Sequence, residues 1–142
     1  MTIPYEKSTA GDKALMELQS SLAKFGCQSF GTAIDAERGV TIVHFKWRDR
    51  VVQLEASWKG YAQALGWRNQ DKAIAQARIS VCSVLRDWGK AQITAIESGV
   101  MSFESAFMPH MLLKDGRRVI DAAQAANLLP APDNGNVREL KK

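Results

Sequence analysis

The amino-acid sequence predicts an α+β domain in which helices pack on one face of a small antiparallel sheet. Three patterns indicate this class. Apolar residues recur at helical spacing in residues 12–26, alternate with polar residues in residues 40–57, and return to helical spacing in residues 69–98. Helix, meander and long helix in this order place the strands next to one another in a single sheet.

The first helix is expected to end at Gly26, because a glycine after the last apolar position commonly takes the left-handed conformation that terminates a helix. Oxygen-bearing side chains that can cap its N-terminus are Ser8, Thr9 and Asp12. Its apolar stripe should lie on the sheet and consists of Leu15, Leu18, Leu22 and Phe25.

Three short strands joined by tight turns predict an antiparallel meander. The second strand alternates, so that Phe45 and Trp47 share one face while His44 and Lys46 share the other. The strands are predicted over residues 27–34, 40–47 and 50–57.

The longest predicted helix begins after a cap at Asn69 or Asp71 and stops at Gly99. Gly89 lies inside it and costs about 1 kcal/mol relative to alanine, so a bend or a close packing contact is expected there. Residues 58–69, which precede this helix, carry conflicting helix and loop signals.

The last part of the domain is predicted to be a short helix, a small hairpin and a final short helix. Ser102 can cap the short helix, and Asp115-Gly116 suits the tight turn of the hairpin. Asp121 can cap the final helix, which is expected over residues 122–128.

Length and composition are those of one globular domain. Of the 142 residues, 46% are hydrophobic and 24% are charged, which argues against wholesale disorder. We expect the domain to span residues 8–129, between a flexible N-terminal arm (1–7) and a disordered polar tail (130–142). No signal peptide or membrane-spanning run is recognisable, so a cytoplasmic location is expected.

Positive charge is concentrated in the middle of the chain. Residues 38–90 contain ten Lys or Arg against four Asp or Glu, together with all four tryptophans. Cations interleaved with aromatic rings favour nucleic acid, whose phosphates bind cations and whose bases stack on rings. Trp47 and Trp88 lie on apolar stripes and are predicted to be buried. The candidate nucleic-acid-binding residues, which we expect on one surface, are Lys46, Arg48, Arg50, Trp58, Lys59, Trp67 and Arg68.

Motifs for other chemistry are not recognisable in the sequence. His44 and His110 have no ligand or base partner at a typical spacing, so no metal site, cofactor or catalytic residue is predicted. Glycine-rich phosphate loops and a nucleophile elbow do not occur. Cys27 and Cys82 are far apart among small or apolar neighbours and are expected to be buried free thiols.

The most characteristic stretch of the chain consists of Glu97-Ser-Gly, Phe103-Glu-Ser-Ala-Phe107 and the hairpin residues 112–119. This stretch resembles a family of small, functionally unassigned proteins encoded in bacteriophages and prophages. Gly89 and Gln92 depart from the family's basic helix formers, and the proline-containing stretch that usually follows the third strand is missing. The resemblance implies a phage origin and a shared fold, but no catalytic residues.

Three functions are therefore hypotheses. The first is a phage accessory protein that binds single strands, or replication or recombination intermediates, without catalysis. The order of helix, meander and helix also resembles that of phage single-strand annealing proteins, but this likeness is one of topology alone. The second is a protein–protein module that forms homo-oligomers or inhibits a host or phage protein through the long helix, Phe103 and Phe107. The third is a small nuclease-like enzyme without a recognisable motif. A membrane partner is not expected.

Overall fold

The computed structural model describes residues 2–131 and has the predicted α+β architecture. Helices lie on one face of a three-stranded antiparallel sheet of strand order β1-β2-β3. The strands are β1 (Gln28–Asp35), β2 (Val40–Trp47) and β3 (Arg50–Ser57). The helices are α1 (Asp12–Phe25), α2 (Trp58–Leu65), α3 (Gln70–Glu97), α4 (Phe103–Phe107) and α5 (Val119–Ala125), with a 3₁₀ turn at Met108–His110.

The β2–β3 hairpin has two well-separated ends. Trp47 pairs with Arg50, which leaves a two-residue turn, and Val40 pairs with Ser57 at the other end of the ladder. Eight-residue strands with a rise of about 3.3 Å per residue separate these ends by about 23 Å. We call residues 46–50 the hairpin tip, and the region around Ser57 and α2 the far end.

The core lies between the sheet and helices α1 and α3. Val43, Phe45, Val52 and Leu54 point from β2 and β3 toward the helices and are almost fully buried. At the hairpin tip, Phe103 and Phe107 of α4 close the core and are 2% and 0% exposed, respectively.

Helices α1 and α3 approach closely at Gly89, as the sequence predicts. A Cβ atom on Gly89 would lie 2.5 Å from Leu18 Cδ1, so a larger residue would force the two helices apart or displace the leucine. This contact brings the C-terminal turns of both helices to the hairpin tip, where Phe25 of α1 stacks with Trp47.

Local capping explains the helices that come after the sheet. The Ser57 hydroxyl accepts a hydrogen bond from the Gly60 N–H and starts α2, which resolves the ambiguous stretch in favour of a helix. Asn69 caps α3 in the same way. The final helix begins at Val119, earlier than predicted, because Asp121 does not cap it but lies in its first turn and pairs with Arg118.

The segment from Tyr5 to Ala10, which precedes α1, lies along α3. Side chains of α3 donate hydrogen bonds to its carbonyl groups: Ser80 to Tyr5 (2.8 Å), Gln76 to Ser8 (2.9 Å) and Ser83 to Ala10 (3.1 Å). These bonds give partners to the buried hydroxyls of Ser80 and Ser83. Most of the predicted tail, residues 132–142, lies outside the described residues.

The two edges of the sheet differ. The β3 edge is covered, since Leu112 N–H donates to the Val51 carbonyl (2.8 Å) and Met111 forms a bridge with Val52. The β1 edge pairs with no strand among residues 2–131. Within the same range no helix has the length and apolarity needed to cross a bilayer.

Candidate nucleic-acid interface

The seven candidate residues do not form one cluster. Lys46, Arg48 and Arg50 lie at the hairpin tip. The other four lie at the far end, where the Lys59 N–H donates to the Gly39 carbonyl beside the last pair of the ladder. These four are Trp58, Lys59, Trp67 and Arg68.

Arg48 has an unusual backbone conformation at the hairpin tip. Its φ is +54°, in the left-handed region, although an arginine side chain disfavours this region by about 1–2 kcal/mol. Two-residue hairpin turns normally place glycine or asparagine at such a position. The side chain is exposed, and its Cζ lies 4.2 Å from the centroid of the Trp47 ring, a cation–π contact.

Trp47 is the outermost ring of an aromatic stack. Phe103 lies parallel to it with a centroid distance of 4.1 Å, and Phe25 is stacked at 6.0 Å. Because Phe103 occupies one face of the indole, Arg48 must cover the other. Trp47, predicted to be buried, is half-buried. The stack is anchored by Phe103, which is 2% exposed.

The hairpin tip carries cations without acidic partners. Lys46 and Arg48 are exposed, and neither forms an ion pair with any of residues 2–131. Arg50 differs because its guanidinium lies 3.4 Å from the Glu104 carboxylate. Beyond Phe25, a groove of about 270 Å³ between α1 and α3 is lined by two further cations, together with polar side chains and one carboxylate. These lining residues are Lys24, Lys90, Ser21, Thr94 and Glu97.

At the far end the tryptophans are less accessible. Trp58 is only 8% exposed, because α2 folds its indole onto Ala73 and Ala77 of α3. Arg78 lies 5.7 Å from the centre of that ring. In this conformation the indole of Trp58 is therefore not open to a base. Trp67 is half-buried, whereas Lys59 and Arg68 are exposed.

Other cations near the far end are neutralised by carboxylates. Arg38 binds Asp35 at 2.8 Å and Glu55 at 3.0 Å, and Arg118 reaches Glu55 and Asp121. Hydrogen bonds from the Arg38 side chain and backbone lower the pKa of Asp35. Burial alone would raise the pKa of Glu55, but hydrogen bonds from Arg38 and Gln53 and the charge of Arg118 outweigh it, so this pKa is lowered. Both arginines of this network are therefore already paired with carboxylates.

Groups that could support catalysis are dispersed. Within residues 2–131 no three His, Cys, Asp or Glu side chains are placed to hold a metal ion. Cys27 and Cys82 are buried free thiols, as predicted, and burial raises the pKa of Cys27 to about 11. Burial likewise raises the pKa of Cys82, so neither thiol is activated as a nucleophile. His44 lies over Gly31 on the open face of the sheet.

Sequence reasoning missed Trp47, Lys24 and Lys90 as candidates. The adjacency of Trp47 to the turn residue Arg48 is a signal that could have identified the tryptophan. The lysines are remote in sequence and meet the hairpin tip only because α1 and α3 end there. No protein-family model matches this chain, and neither a curated protein nor a solved structure matches it.

Proposed function

We propose that this protein binds single-stranded nucleic acid at the hairpin tip, without catalysis, as a phage-encoded accessory protein in the host cytoplasm. The observation that carries the proposal is the arrangement of Trp47 and Arg48, in which an exposed guanidinium covers a half-buried indole at a two-residue turn. A base can stack on the guanidinium, or displace it and stack on the indole.

The neighbouring charges suit the backbone of the same strand. Lys46 lies one residue from Trp47, and Lys24 and Lys90 line the groove on the other side of Phe25. Phosphates on either side of the stacked base would therefore meet cations that form no ion pair within the described part of the chain. Stacking requires a base that is free of its complementary strand, and this requirement favours single strands over a duplex.

Backbone strain at the hairpin tip supports a functional role. An arginine with φ of +54° violates the local preference of a turn, and such violations cluster at functional sites. A glycine or asparagine would form the turn at lower cost, so folding alone does not account for the arginine. A cation held above an aromatic ring does account for it.

The protein–protein alternative loses the two phenylalanines from the surface that the sequence suggested for it, which also included the long helix. Phe103 and Phe107 are buried under the hairpin and against Phe45, so they cannot contact a partner without unfolding α4. A role of these phenylalanines in the core is sufficient to explain their spacing.

The experiment that tests the proposal compares the two ends of the β2–β3 hairpin with equal changes in charge. Fluorescence anisotropy of a labelled oligonucleotide would measure the affinity of the wild type, of Lys46→Ala with Arg48→Ala, and of Lys59→Ala with Arg68→Ala. We expect the hairpin-tip variant to bind more weakly. Its plot of log K against log salt should also flatten by about 0.7 for each phosphate that the variant no longer binds. The far-end variant serves as the control and should bind nearly as well as the wild type.

Two results would overturn the proposal. The wild type could fail to bind single strands even at low salt, or the far-end variant could show the same reduction in affinity as the hairpin-tip variant. A preference for duplex over a single strand of the same sequence would exclude the stacking mode. Circular dichroism of each variant would show whether the fold is intact.

A further inference from the structure

The free edge of β1 carries few of the features that normally protect an edge strand. Natural edges are blocked by lysine, proline, a bulge or a covering segment. Residues 28–35 contain no Lys, Arg or Pro. A bulge near Ser29 shifts the register only at the start of the strand, and pairing with β2 is regular from Gly31 to Asp35. By contrast, Met111 and Leu112 cover the β3 edge.

Apolar surface on β1 is also left uncovered. Ile34 pairs with Thr41, whose side chain is buried on the helix side of the sheet, yet Ile34 is 51% exposed. Beside it a cavity of about 630 Å³ separates β1 from helices α1 and α3. Most groups that line the cavity are small or apolar, including Leu15, Thr32 and Ile79, and Asp12 and Arg78 are its two charged lining residues. An apolar side chain from another strand would fit this space.

Charge at the two ends of β1 identifies the occupant. At the beginning of the strand, Gln28 pairs with Lys46 of β2. Lys24 lies shortly before it, in the last turn of α1. At the end of the strand Asp35 is paired with Arg38, and the exposed Glu37 beyond it supplies the negative charge. Lys24, Lys46 and Glu37 form no ion pair with any of residues 2–131. One strand therefore offers a positive end and a negative end.

We propose that β1 pairs with β1 of a second copy of this chain, antiparallel about a two-fold axis near Thr32. The two sheets then form one six-stranded sheet, and Ile34 of each copy lies near Phe30 of the other. In this orientation the basic end of each strand meets the acidic end of its partner, whereas a parallel arrangement would place like charges together. A two-fold axis also closes the assembly, because β1 of each copy is used once and pairs with the same strand of the other copy.

Sedimentation velocity of the full chain over a wide range of concentrations tests the dimer. The wild type should have twice the 15.7 kDa mass of one chain at high concentration. Ile34→Lys places a charge at the pairing edge on the apolar side and should halve that mass. The matched control is Ala33→Lys, which lies on the same strand but points to the open face, and it should remain dimeric.

A charge exchange shows whether the second copy lies antiparallel. Glu37→Lys should weaken the dimer, and adding Lys24→Glu to the same chain should restore it, since the two positions meet only across the two-fold axis. The melting temperature of each variant at low concentration shows that the monomer folds.

The proposal is overturned if the wild type stays monomeric, if Ile34→Lys still forms a dimer, or if the charge exchange does not restore the dimer. A monomer that instead binds an unrelated extended peptide at β1 overturns it too, by assigning the edge to another partner. None of these outcomes depends on nucleic-acid binding at the hairpin tip.

Discussion

Trp47 and Trp58 both have an arginine above the indole ring, but the two pairs belong to different environments. At the hairpin tip, Arg48 lies 4.2 Å from the Trp47 centroid, and the ring is half-buried. At the far end, Arg78 lies 5.7 Å from the Trp58 centroid, and that ring is 8% exposed. The first pair ends an aromatic stack that reaches the surface, whereas the second closes the small core between α2 and α3.

The difference comes from the structural element that each tryptophan leads into. Trp47 precedes a two-residue turn, so the chain that follows does not fold over the indole, and the face opposite Phe103 is covered by Arg48 alone. Trp58 comes directly after the Ser57 cap and is the first residue of α2, which packs against α3. A tryptophan beside a cation therefore indicates a binding site only where the chain leaves one face of the ring reachable.

The largest effect that separates the two tryptophans should be on stability. Trp58→Ala removes a buried ring from its packing against Ala73 and Ala77, and should lower the free energy of unfolding by about 3–5 kcal/mol. Equilibrium unfolding in urea would measure this. Trp58→Phe is the control. It should cost less because it keeps an aromatic ring and removes a buried indole N–H that has no hydrogen-bond partner among residues 2–131. A decrease below about 1 kcal/mol for Trp58→Ala would contradict the burial of this ring.

The next largest effect should be on binding, which should depend on the tryptophan at the hairpin tip and not on one at the far end. Trp47→Ala should weaken binding of a single strand by about 1–3 kcal/mol, the usual contribution of one stacked base. Trp67→Ala, which removes a half-buried tryptophan from the far end, should leave the affinity unchanged. Anisotropy titrations at one salt concentration would compare the two variants. Equal reductions in affinity for both would mean that the hairpin tip is not the stacking site.

A smaller effect should separate the paired and unpaired charges. The Glu55 side chain is 11% exposed between Arg38 and Arg118, so Glu55→Gln should cost about 1–2 kcal/mol near neutral pH. The pKa of Glu55 is lowered in the folded state. Its contribution is therefore complete above the pKa of about 4 in the unfolded chain, and disappears as the pH falls through the lower folded value.

The measurement is the free energy of unfolding between about pH 6 and pH 3. The wild type should lose stability on acidification more steeply than Glu55→Gln. Glu37→Gln changes an exposed carboxylate without an ion-pair partner among residues 2–131, and should retain the wild-type slope at protein concentrations low enough to keep the chain monomeric. Parallel curves for all three proteins would show that the Arg38–Glu55 network contributes nothing to acid stability.

The sequence predicts the fold well because each element carries its own signal. Alternation of apolar residues indicates β2 and β3, and the stripe from Ile74 to Ala95 indicates α3 between its Asn69 cap and Gly99. The α2 helix is ambiguous in the sequence because Gly60 and Gly66 weaken it. Its stability comes from the Ser57 cap and from packing on α3, and both are tertiary or capping effects that periodicity does not report.

The candidate site is predicted less well, because it depends on which residues meet in space. Lys46, Arg48 and Arg50 are close in sequence and stay together at the turn. Trp58 and Arg68 are equally suitable by composition, but the length of the β2–β3 ladder carries them to the opposite end. The burial of Trp58 depends on α3, which begins twelve residues later in the chain.

The smallest effect should separate strain from charge at Arg48 itself. Arg48→Gly and Arg48→Ala both remove the guanidinium and its contact with Trp47, so both should weaken binding of a single strand to the same extent. Only glycine adopts φ of +54° without steric cost. Arg48→Gly should therefore be about 1 kcal/mol more stable than Arg48→Ala in urea unfolding. The same pair of substitutions at Arg50, which has no positive φ, should favour alanine instead. If glycine gave no gain at Arg48, the turn would not be strained, and the choice of arginine there would no longer point to a binding role.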